Sequence, residues 1–381
     1  MNLHLMPDDK FLDGFIAKME SVDKPGNNVY VVYSREYPDR FRYIKDARAV
    51  FAPVGSTLFQ QLTANMSRYD KIVIHYLARK IWDFVATIPR GSKVWWRFWG
   101  SDFYFSPGIF GRFLYDKHTK SLIREPLTPQ GLRLRFWRYL QNRKRLLSHR
   151  LACERVDAIL HWNQVDYELI RQFYPQCKAT FVDSHYWGVA HFPPLSECAL
   201  PPSCASLAKR KIILVGNSGT PENNHLAVFR RLAKLKLKDD VAVVCPLSYG
   251  DPDYIQKISE LGKAVLRSRF VPLLDFLDEK SYYGLLAHVE IAFMNHMRTQ
   301  AGGNVLALLW YGKKVFMNSQ STLFKMLKEG KCSVYDIETA HTSEEIFNPL
   351  TAEEKKLCCS YLNTKFGEEA VNTAYEAIIR N

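Results

Sequence analysis

The sequence predicts an α/β protein that consists of two doubly wound domains facing each other across a cleft. Short apolar runs alternate with longer segments of helical periodicity, which is typical of βαβ units and a parallel sheet. The length of 381 residues fits two domains of roughly 150 residues each. A stretch with four prolines and no periodicity, 191–210, reads as a linker. We therefore expect domains at 1–190 and 211–365, followed by a C-terminal helix at 366–381.

Both predicted domains contain strands that follow one another at helix-length intervals. In the first half, apolar runs predict strands at 28–34, 49–53, 71–77, 93–100, 158–162 and 179–183. In the second half, they predict strands at 211–216, 241–247, 264–271, 289–295 and 313–318. The tail GEEAVNTAYEAIIRN reads as one helix. Because open α/β sheets bind ligands beyond the carboxyl ends of their strands, a site is expected in the segments that follow the strands.

The composition limits the class of protein and of partner. Apolar residues make up 47% of the chain, which argues against disorder. The net charge of +13 indicates contact with something anionic, namely nucleic acid, a phosphorylated substrate or an acidic membrane surface. No helix-turn-helix, RNP or zinc signature supports nucleic acid, so no nucleic-acid partner is expected. No apolar run approaches the ~20 residues of a spanning helix, so we expect a protein that is soluble or rests on a membrane.

Metal ions and disulfides are not expected. The eight cysteines are scattered without a CxxC pair or a neighbouring histidine cluster, which argues against zinc and favours a reduced, cytosolic protein. The first residues lack the pattern of a signal peptide. The segment Asp251-Pro252-Asp253 could pass for a metal-binding DxD motif, but the neighbouring Gly250 and Pro252 make a turn the simpler interpretation.

The segment KIILVGNSGTPENNHLAVFRRL, residues 211–232, has the order strand, glycine turn and helix. Gly216 and Gly219 allow backbone angles that are closed to other residues. Free N–H groups at such a turn and at the helix start can hold a phosphate or a carboxylate. An ordinary strand-to-helix turn is the alternative, because neither a P-loop lysine nor the GxGxxG spacing is present.

A second glycine turn follows the predicted strand at 289–295. Gln300-Ala301-Gly302-Gly303-Asn304 opens a helix of good helix formers, and Arg298 stands just before it. The helix dipole, bare N–H groups and a guanidinium all favour a diphosphate at this point. A flexible loop with a glycine helix start is the alternative.

The segment WWRFWGSDFY, residues 95–104, ends a strand of the first domain. Asp102 is expected at the carboxyl edge of that sheet, where its carboxylate could deprotonate a hydroxyl group. Trp96, Trp99 and Tyr104 offer ring faces for an acceptor sugar and an apolar wall that would raise the pKa of Asp102. His75 ends the preceding strand and is a second candidate base. The alternatives are a helix-capping or turn role for Asp102 and a structural role for the histidine.

Residues 133–150, RLRFWRYLQNRKRLLSHR, have helical spacing. One stripe of this helix holds apolar residues, Leu132, Phe136, Leu140, Leu147 and Leu151. The opposite face holds the cationic candidates Arg135, Arg138, Arg145 and His149. A core-facing helix with a solvated basic face is one interpretation. The other, which we favour, is a surface that meets anionic lipid at about 1 kcal/mol per nearby cation.

Four segments together resemble a known family. WRFWGSDFY, ILVGNSGTPENNH, VVCPLSYG and YYGLLAHVEIAFMNHMRTQAGGNVLALLWYGKKVFMN are similar, in this order, to the bacterial TDP-N-acetylfucosamine lipid II transferases, glycosyltransferase family 56. The resemblance covers most of residues 70–320. It implies a GT-B fold with a donor nucleotide in the C-terminal domain, an acceptor in the N-terminal domain and no metal. It also implies inverting transfer of a fucose-type deoxysugar from a dTDP-sugar to an undecaprenyl-diphosphate-linked glycan in surface polysaccharide synthesis, at the cytoplasmic face of the bacterial inner membrane.

The resemblance also assigns residues. It implies that the first donor turn consists of Gly216, Asn217, Ser218, Gly219, Asn224 and His225. It places Gln300, Gly302 and Gly303 on the second donor turn, and Asp102 on the family's Trp-Gly-Ala-Asp aspartate. Further candidates for donor contacts are Pro246, Tyr249, Arg298 and Asn304. The sequence departs from the family pattern at Ser101, at the adjacent glycines 302–303 and in a longer stretch after Tyr104. A nucleotide-sugar epimerase or hydrolase on the same fold, and a non-enzymatic polyanion-binding protein, are the alternatives.

Overall fold

The structure is a computed structural model that describes residues 1–37, 39–106, 109, 114–123 and 129–380, with side chains described outside 129–140. The chain forms two compact units. The first comprises Met1–Phe110, Thr128–Trp187 and Glu369–Asn381, and the second comprises Gly111–Leu127 and Gly188–Glu368. The C-terminal helix thus belongs to the unit that contains the N-terminus, and residues 114–123 belong to the unit that contains most of the second half.

The first unit contains a seven-stranded parallel sheet of order β3-β2-β1-β4-β5-β6-β7. Its strands are β1 Asn2–Pro7, β2 Asn28–Ser34, β3 Ala49–Phe51, β4 Lys71–His75, β5 Val94–Arg97, β6 Ala158–His161 and β7 Thr180–Asp183. The second unit contains a six-stranded parallel sheet of order β10-β9-β8-β11-β12-β13. Its strands are β8 Lys211–Val215, β9 Val241–Pro246, β10 Phe270–Leu273, β11 Val289–Met294, β12 Lys314–Met317 and β13 Val334–Asp336.

Helices connect the strands, as a parallel sheet requires. From the N-terminus to the long helix they are α1 Leu12–Val22, α2 Thr57–Thr63, α3 Trp82–Thr87, α4 Ser101–Tyr104, α5 Lys117–Leu122 and α6 Pro129–Arg155. The following ones are α7 Gln164–Phe173, α8 His225–Lys234, α9 Pro252–Leu266, α10 Glu279–His288, α11 Gly302–Trp310, α12 Thr322–Glu329, α13 Ser343–Phe347, α14 Ala352–Phe366 and α15 Glu368–Arg380. Short 3-10 turns occupy 189–191, 195–197 and 202–207 in the proline-rich stretch.

The observed strands differ from the predicted ones at three places. The sequence analysis missed β1, whose buried polar residues Asn2 and His4 break the apolar pattern that identifies a central strand. It missed the three-residue strand β13. It also placed a strand at 264–271, whereas α9 continues to Leu266 and β10 begins at Phe270. Pro272 is compatible with β10 because this strand lies at the edge of its sheet.

Each unit has its own apolar core. In the first unit, α1 packs against the central strands, and Tyr375 and Ile378 of α15 belong to the same cluster. Lys71 Nζ donates to the carbonyl oxygens of Ile378 and Ile379 at 2.6 and 3.1 Å, so the C-terminal helix is bound to the start of β4. In the second unit, the inner faces of α8 and α9 pack on β8, β9 and β11.

Candidate active site

The two predicted donor turns follow neighbouring strands of the second sheet. The strand order reverses between β8 and β11, and a doubly wound sheet binds its ligand where the order reverses. The first turn, 216–219, follows β8, and the second segment, 295–304, follows β11. The Gly216 N–H donates to the carbonyl of Phe293 at 3.0 Å, which holds the two strand ends side by side. The fold thus brings together two segments that lie about 80 residues apart in sequence.

Close packing explains the two glycines of the first turn. Gly216 has φ +70°, and a Cβ there would lie 2.6 Å from Asn223 Oδ1 and 2.8 Å from His225 Nε2. A Cβ on Gly219 would lie 2.1 Å from Cγ1 of Ile255. Neither position can take a side chain without displacing its neighbours, so the turn approaches α8 and α9 as closely as backbone allows.

Asn223 organises the first turn, although the sequence analysis did not single it out. Its Oδ1 accepts from the Asn217 N–H at 2.8 Å, and its Nδ2 donates to the Ser218 hydroxyl at 3.1 Å. The next residue, Asn224, has φ +51° and directly precedes α8, to which its side chain makes no capping hydrogen bond. Both asparagines are fully buried, so they shape the turn from beneath.

His225 also lies beneath the turn. It is fully buried, and its Nδ1 is 3.1 Å from the Tyr254 hydroxyl. Burial lowers the pKa of His225 to about 3, so this histidine is neutral at physiological pH. Its position as the first residue of α8 suits a supporting role in the donor turn.

His296 connects the two turns and was also missed. Its Nε2 lies 3.1 Å from Asn217 Oδ1 and 2.9 Å from Asn223 Oδ1, so the ring donates from Nε2 to both amide oxygens. Gln300 Nε2 reaches the same Asn217 oxygen at 3.5 Å. Burial and the nearby charge of Arg298 hold the pKa of His296 well below its usual value. A polar residue directly after a buried strand was the available signal.

The second turn ends in an uncapped helix start. Ala301 has φ +53° and precedes α11 without a side-chain hydrogen bond to the helix. Gly302, Gly303 and Asn304 are half-buried, and the Asn304 amide donates to the Tyr282 hydroxyl at 2.8 Å. The first N–H groups of α11 therefore carry the positive end of the helix dipole without a side-chain partner at the cap.

Arg298 lies in the same segment and is 9% exposed. Its NH1 donates to the Thr299 carbonyl at 2.8 Å, and the Ser321 hydroxyl donates to the Arg298 carbonyl at 3.2 Å. These bonds fix the backbone of the loop. A buried guanidinium thus lies in the segment that leads into the N-terminus of α11.

Two further predicted donor residues lie at the end of β9 and just after it. Pro246 is the buried last residue of β9. Tyr249 is 52% exposed, its carbonyl accepts from the Gly219 N–H at 2.7 Å, and its hydroxyl accepts from Asn217 Nδ2 at 3.3 Å. Of the predicted donor residues after β9, Tyr249 is the one whose ring is open to a ligand.

A segment from the first half of the sequence braces the donor turn. Asn224 Nδ2 donates to the carbonyl of Leu114 at 3.0 Å, and the Asp116 N–H donates to Asn224 Oδ1 at 2.9 Å. The Tyr115 hydroxyl donates to Glu222 at 3.0 Å. Residues 114–116 come from the stretch that is longer than the family pattern, and the structure gives them a place in the second unit.

Asp102 lies at the carboxyl side of the first sheet, one residue into α4. Its Oδ2 accepts from Trp96 Nε1 at 2.7 Å and from the Leu77 N–H at 3.1 Å, and its Oδ1 accepts from the Trp99 N–H at 3.2 Å. The side chain is 4% exposed, and burial raises the pKa of Asp102 to about 6 despite these three donors.

The other candidates of the first unit are less accessible. His75 is fully buried; its Nε2 lies 3.1 Å from His4 Nδ1, and its Nδ1 lies 2.8 Å from the Tyr186 hydroxyl. Trp96 and Tyr104 are 0% and 1% exposed, so their ring faces are packed inside the unit and are not open to a sugar. Their hydrogen bonds explain the burial, since Trp96 binds Asp102 and Tyr104 binds Asp166 at 2.7 Å.

Trp99 belongs to an accessible aromatic group. Phe11, 40% exposed, has its ring 6.0 Å from that of Trp99, and Tyr76 lies 5.3 Å from Trp99 on another side. Asp9, half-buried, accepts from the Phe11 N–H at 3.2 Å, and burial raises its pKa. The sequence analysis missed Asp9 and Phe11 because it missed β1, which they follow.

The long helix α6 is confirmed, but its predicted apolar stripe is wrong where side chains are described. Leu147 and Leu151 are 50% and 43% exposed, whereas His149 is fully buried against the Tyr174 hydroxyl at 2.8 Å. The helix therefore packs through His149, Ala152 and Cys153 and presents leucines outward. The predicted residues Leu132, Arg135, Phe136, Arg138 and Leu140 lie outside the described side chains.

The described part of the chain contains neither a candidate metal site nor a candidate membrane-spanning helix. It contains no group of three His, Cys, Asp or Glu side chains that could hold a metal ion. Asp251 of the DPD segment caps α9 by accepting from the Tyr254 N–H at 2.9 Å, as a turn residue would. Within the same ranges, no helix combines the length and the apolarity that crossing a membrane requires.

A family model described as 4-alpha-L-fucosyltransferase, glycosyl transferase group 56, matches residues 137–354. The match covers more than half of the 381 residues and includes both donor turns.

Solved structures share the architecture over the whole chain. Sucrose-phosphate synthase from Thermosynechococcus elongatus is 10% identical with a TM-score of 0.65, and the alignment covers 100% of this chain and 98% of that one. Anabaena HepE in complex with UDP and glucose is 11% identical with a TM-score of 0.60, covering 100% and 99%. A Listeria monocytogenes protein described as a UDP-N-acetylglucosamine 2-epimerase is 12% identical with a TM-score of 0.51, covering 99% and 94%. The fold is therefore GT-B, as the sequence predicted.

Proposed function

The chain belongs to the 4-alpha-L-fucosyltransferase family, glycosyltransferase group 56, and from this premise we propose its donor, acceptor and mechanism. It is a glycosyltransferase. We propose that it moves a fucose-type deoxysugar from a nucleoside diphosphate, with dTDP favoured, to a hydroxyl group of a lipid-diphosphate-linked glycan. Epimerases share the fold, so the likeness in fold alone does not separate the two reactions, and the family match favours transfer.

One observation carries the proposal for the donor. Two glycine turns meet at the point where the strand order of the second sheet reverses, and His296 hydrogen-bonds to Asn217 of the first turn. The uncapped start of α11 supplies N–H groups and a positive dipole, and Arg298 adds a full charge nearby. This arrangement suits a diphosphate, whose negative oxygens need several donors at once.

The same groups would assist departure of the nucleotide. In a single displacement, the acceptor oxygen attacks C1 as the bond from C1 to the diphosphate oxygen breaks, which inverts the configuration at C1. The leaving diphosphate gains negative charge in the transition state. Donors that are already in place stabilise this charge without reorganisation, and they do so without requiring a metal ion.

The acceptor hydroxyl must lose its proton as it attacks, and we propose Asp102 as the base. Burial raises its pKa to about 6, which brings it closer to the operating pH of a general base, and the carboxylate lines a cavity at the carboxyl edge of the sheet. Asp9 is the rival, because it is less buried and lies beside Phe11 of the aromatic group.

The outward face of α6 supports a membrane-bound acceptor. Leu147 and Leu151 are exposed on the same helix as the exposed cations Arg143 and Lys144. Apolar side chains beside cations are typical of a surface that rests on anionic lipid. We propose that the enzyme acts as a peripheral protein at the cytoplasmic face of a bacterial inner membrane.

A transfer assay tests the proposal. The full chain is incubated with radiolabelled dTDP-fucose-type donor and a bacterial lipid extract that contains diphosphate-linked glycans. Label should move into the lipid phase, and dTDP should appear in equal amount. Release of free sugar or an isomerised donor in the absence of lipid would instead favour the hydrolase or epimerase reaction.

A further inference from the structure

The first unit contains a cavity of about 260 Å³ beside the carboxyl end of β4. Its lining comes from Tyr76–Arg79, which follow β4, from α4 and the turn after it, and from α6. Its lining thus lies beyond the carboxyl ends of the neighbouring strands β4 and β5, the edge at which open α/β sheets bind their ligands.

The backbone at the cavity is strained. Tyr76 has φ +70°, a conformation that non-glycine residues rarely adopt, and the Tyr33 hydroxyl fixes it by donating to the Tyr76 carbonyl at 2.6 Å. Such strain is concentrated at ligand-binding sites, where the surrounding structure maintains it. With the backbone in this conformation, Tyr76 and Arg79 both line the cavity.

Two guanidinium groups line the cavity without a matching carboxylate. Arg79 is exposed and Arg145 of α6 is half-buried, with its NH2 donating to Gln141 Oε1 at 2.9 Å. Among the described residues, neither arginine forms an ion pair. The acid of the lining is Asp102, which already accepts three hydrogen bonds from nitrogen donors. The lining therefore carries two positive groups and one negative group.

We infer that this cavity is an anion subsite for the acceptor, in which Arg79 and Arg145 bind a phosphoryl or carboxylate group of the incoming glycan. Guanidinium forks match both groups in geometry and charge. The identity of the ligand as the acceptor rests on the proposed function, whereas the preference for an anion rests on the lining. The rings of Tyr76, Trp82 and Phe105 provide apolar walls for the adjoining sugar.

The volume limits what enters. Ligand pockets for whole small molecules measure about 300–1,000 Å³, so a cavity of about 260 Å³ has room for a diphosphate or one sugar ring and not for a complete lipid-linked glycan, whose remainder would extend outside it. The anionic group must then belong to the part of the acceptor that enters. That group is either the diphosphate of the lipid carrier or an acidic substituent on a sugar.

Calorimetry with three small probes tests the inference. The full chain is saturated with dTDP to fill the donor site and titrated with geranyl diphosphate, a methyl hexuronide and the neutral methyl hexoside. Binding of at least one anionic probe should weaken by about tenfold or more in Arg79→Gln and in Arg145→Gln, since a hydrogen bond to a charged group contributes at least that factor. Arg171→Gln, an exposed arginine of the same unit that does not line the cavity, is the matched control.

Each outcome has a defined meaning. If the binding of geranyl diphosphate requires both arginines, the subsite is assigned to the lipid carrier. If the binding of the hexuronide requires them, the subsite is assigned to an acidic sugar. Absence of binding by both anionic probes, or equal affinities in wild type and both variants, would overturn the inference. Binding of dTDP is measured first and tests the proposed donor site by itself. A failure of the proposed function can therefore be distinguished from a failure of the anion subsite. Melting temperatures of the variants establish that they are folded.

Discussion

Asn224, which directly precedes α8, and Asn295, which directly follows β11, exchange hydrogen bonds. Asn224 Nδ2 donates to the Asn295 carbonyl at 3.0 Å, and Asn295 Nδ2 donates to the Asn224 carbonyl at 3.3 Å. Both side chains are buried. The pair fixes the first donor turn against the second, so the spacing of the two turns depends on a few side-chain amides beneath them.

Replacement of Asn224 should separate the contribution of its side-chain hydrogen bonds from that of its left-handed backbone conformation. Asn224→Ala removes a side chain that donates to three carbonyls and leaves alanine at φ +51°. We expect a loss of about 2–4 kcal/mol in the free energy of unfolding, because each buried carbonyl left without a donor costs about 1–3 kcal/mol. Asn224→Gly lacks the same donors but tolerates the backbone angle, so it should be about 1 kcal/mol more stable than the alanine variant. Denaturant unfolding measures both, and equal stability of Asn224→Ala and wild type would contradict the bracing role.

Gly216→Ala should disrupt the donor turn. A Cβ there meets Asn223 Oδ1 at 2.6 Å and also requires alanine at φ +70°. Gly26→Ala is the matched control, because Gly26 has φ +79° and a Cβ added there would meet nothing within 4 Å. The control should lose only the 1–2 kcal/mol of the left-handed conformation, whereas Gly216→Ala should lose more and bind dTDP at least tenfold more weakly. Thermal shift with dTDP measures the affinity; unchanged binding in Gly216→Ala would remove this turn from the donor site.

The donor turns show what the sequence could predict. The sequence analysis identified four glycines, Gly216, Gly219, Gly302 and Gly303. A glycine between a strand and a helix permits a tight turn of the backbone, and this pattern can be recognised from neighbouring residues alone. His296 was not identified, because its importance depends on contacts with Asn217 and Asn223, which lie about 70–80 residues away in sequence. Asn223 was also not identified, although its partners Asn217 and Ser218 are near in sequence.

In the first unit, the sequence analysis expected open aromatic rings at positions that are buried in the structure. Trp96 lies near the end of β5, and Trp99 and Tyr104 follow that strand, so all three were expected to present a ring face to a sugar. Burial then separated them, since the indole of Trp96 and the hydroxyl of Tyr104 turn inward to carboxylates. Asp9 was inaccessible to sequence reasoning because β1, with its buried Asn2 and His4, does not have the apolar pattern of a central strand.

Nucleotide binding should be independent of divalent metal. The proposed diphosphate site uses N–H groups and Arg298, so dTDP should raise the melting temperature equally with EDTA and with Mg²⁺. A ligand at ~100 times its dissociation constant adds about 2.7 kcal/mol, which a thermal-shift assay detects. Activity that disappears in EDTA and returns with Mn²⁺ or Mg²⁺ would refute the metal-free mechanism.

The leucines on α6 should contribute to lipid binding. Leu147→Ser with Leu151→Ser removes two exposed apolar side chains, so sedimentation with vesicles of anionic phospholipid should fall at every salt concentration. Leu195→Ser is the control, because Leu195 is 55% exposed and lies in the other unit. Arg143→Gln with Lys144→Gln should weaken binding mainly at low salt, since exposed charges are screened within ~8 Å at physiological ionic strength. Vesicle binding that is equal in all variants would exclude this face of α6.

The assignment of the base depends on a comparison of Asp102→Asn with Asp9→Asn. If Asp102 is the base, Asp102→Asn should lower turnover by 10²–10⁴-fold, whereas dTDP affinity should stay unchanged because the donor turns belong to the other unit. Asp9→Asn should then retain turnover near that of wild type. The reverse pattern would assign the base to Asp9 and leave Asp102 as the buried carboxylate that fixes Trp96, Leu77 and Trp99.

The pH dependence of Asp102 provides the last prediction. Its pKa is about 6 in the folded protein and 3.8 in the unfolded chain, so folding favours the protonated form. The corresponding stabilisation is fully present below about pH 4 and is lost as the pH rises through 6, by about 3 kcal/mol at 1.36 kcal/mol per pH unit. Between these pH values, the free energy of unfolding of wild type should therefore decrease relative to that of Asp102→Asn, which has no proton to lose.

Turnover changes in the opposite direction, because only the ionised carboxylate accepts a proton, so wild-type activity should fall about tenfold per unit below pH 6. Urea titrations and initial rates on the same samples measure both. A stability difference that is constant from pH 4 to 7 would mean that Asp102 is not held in the environment described here, and a rate without a limb near pH 6 would remove it as the base.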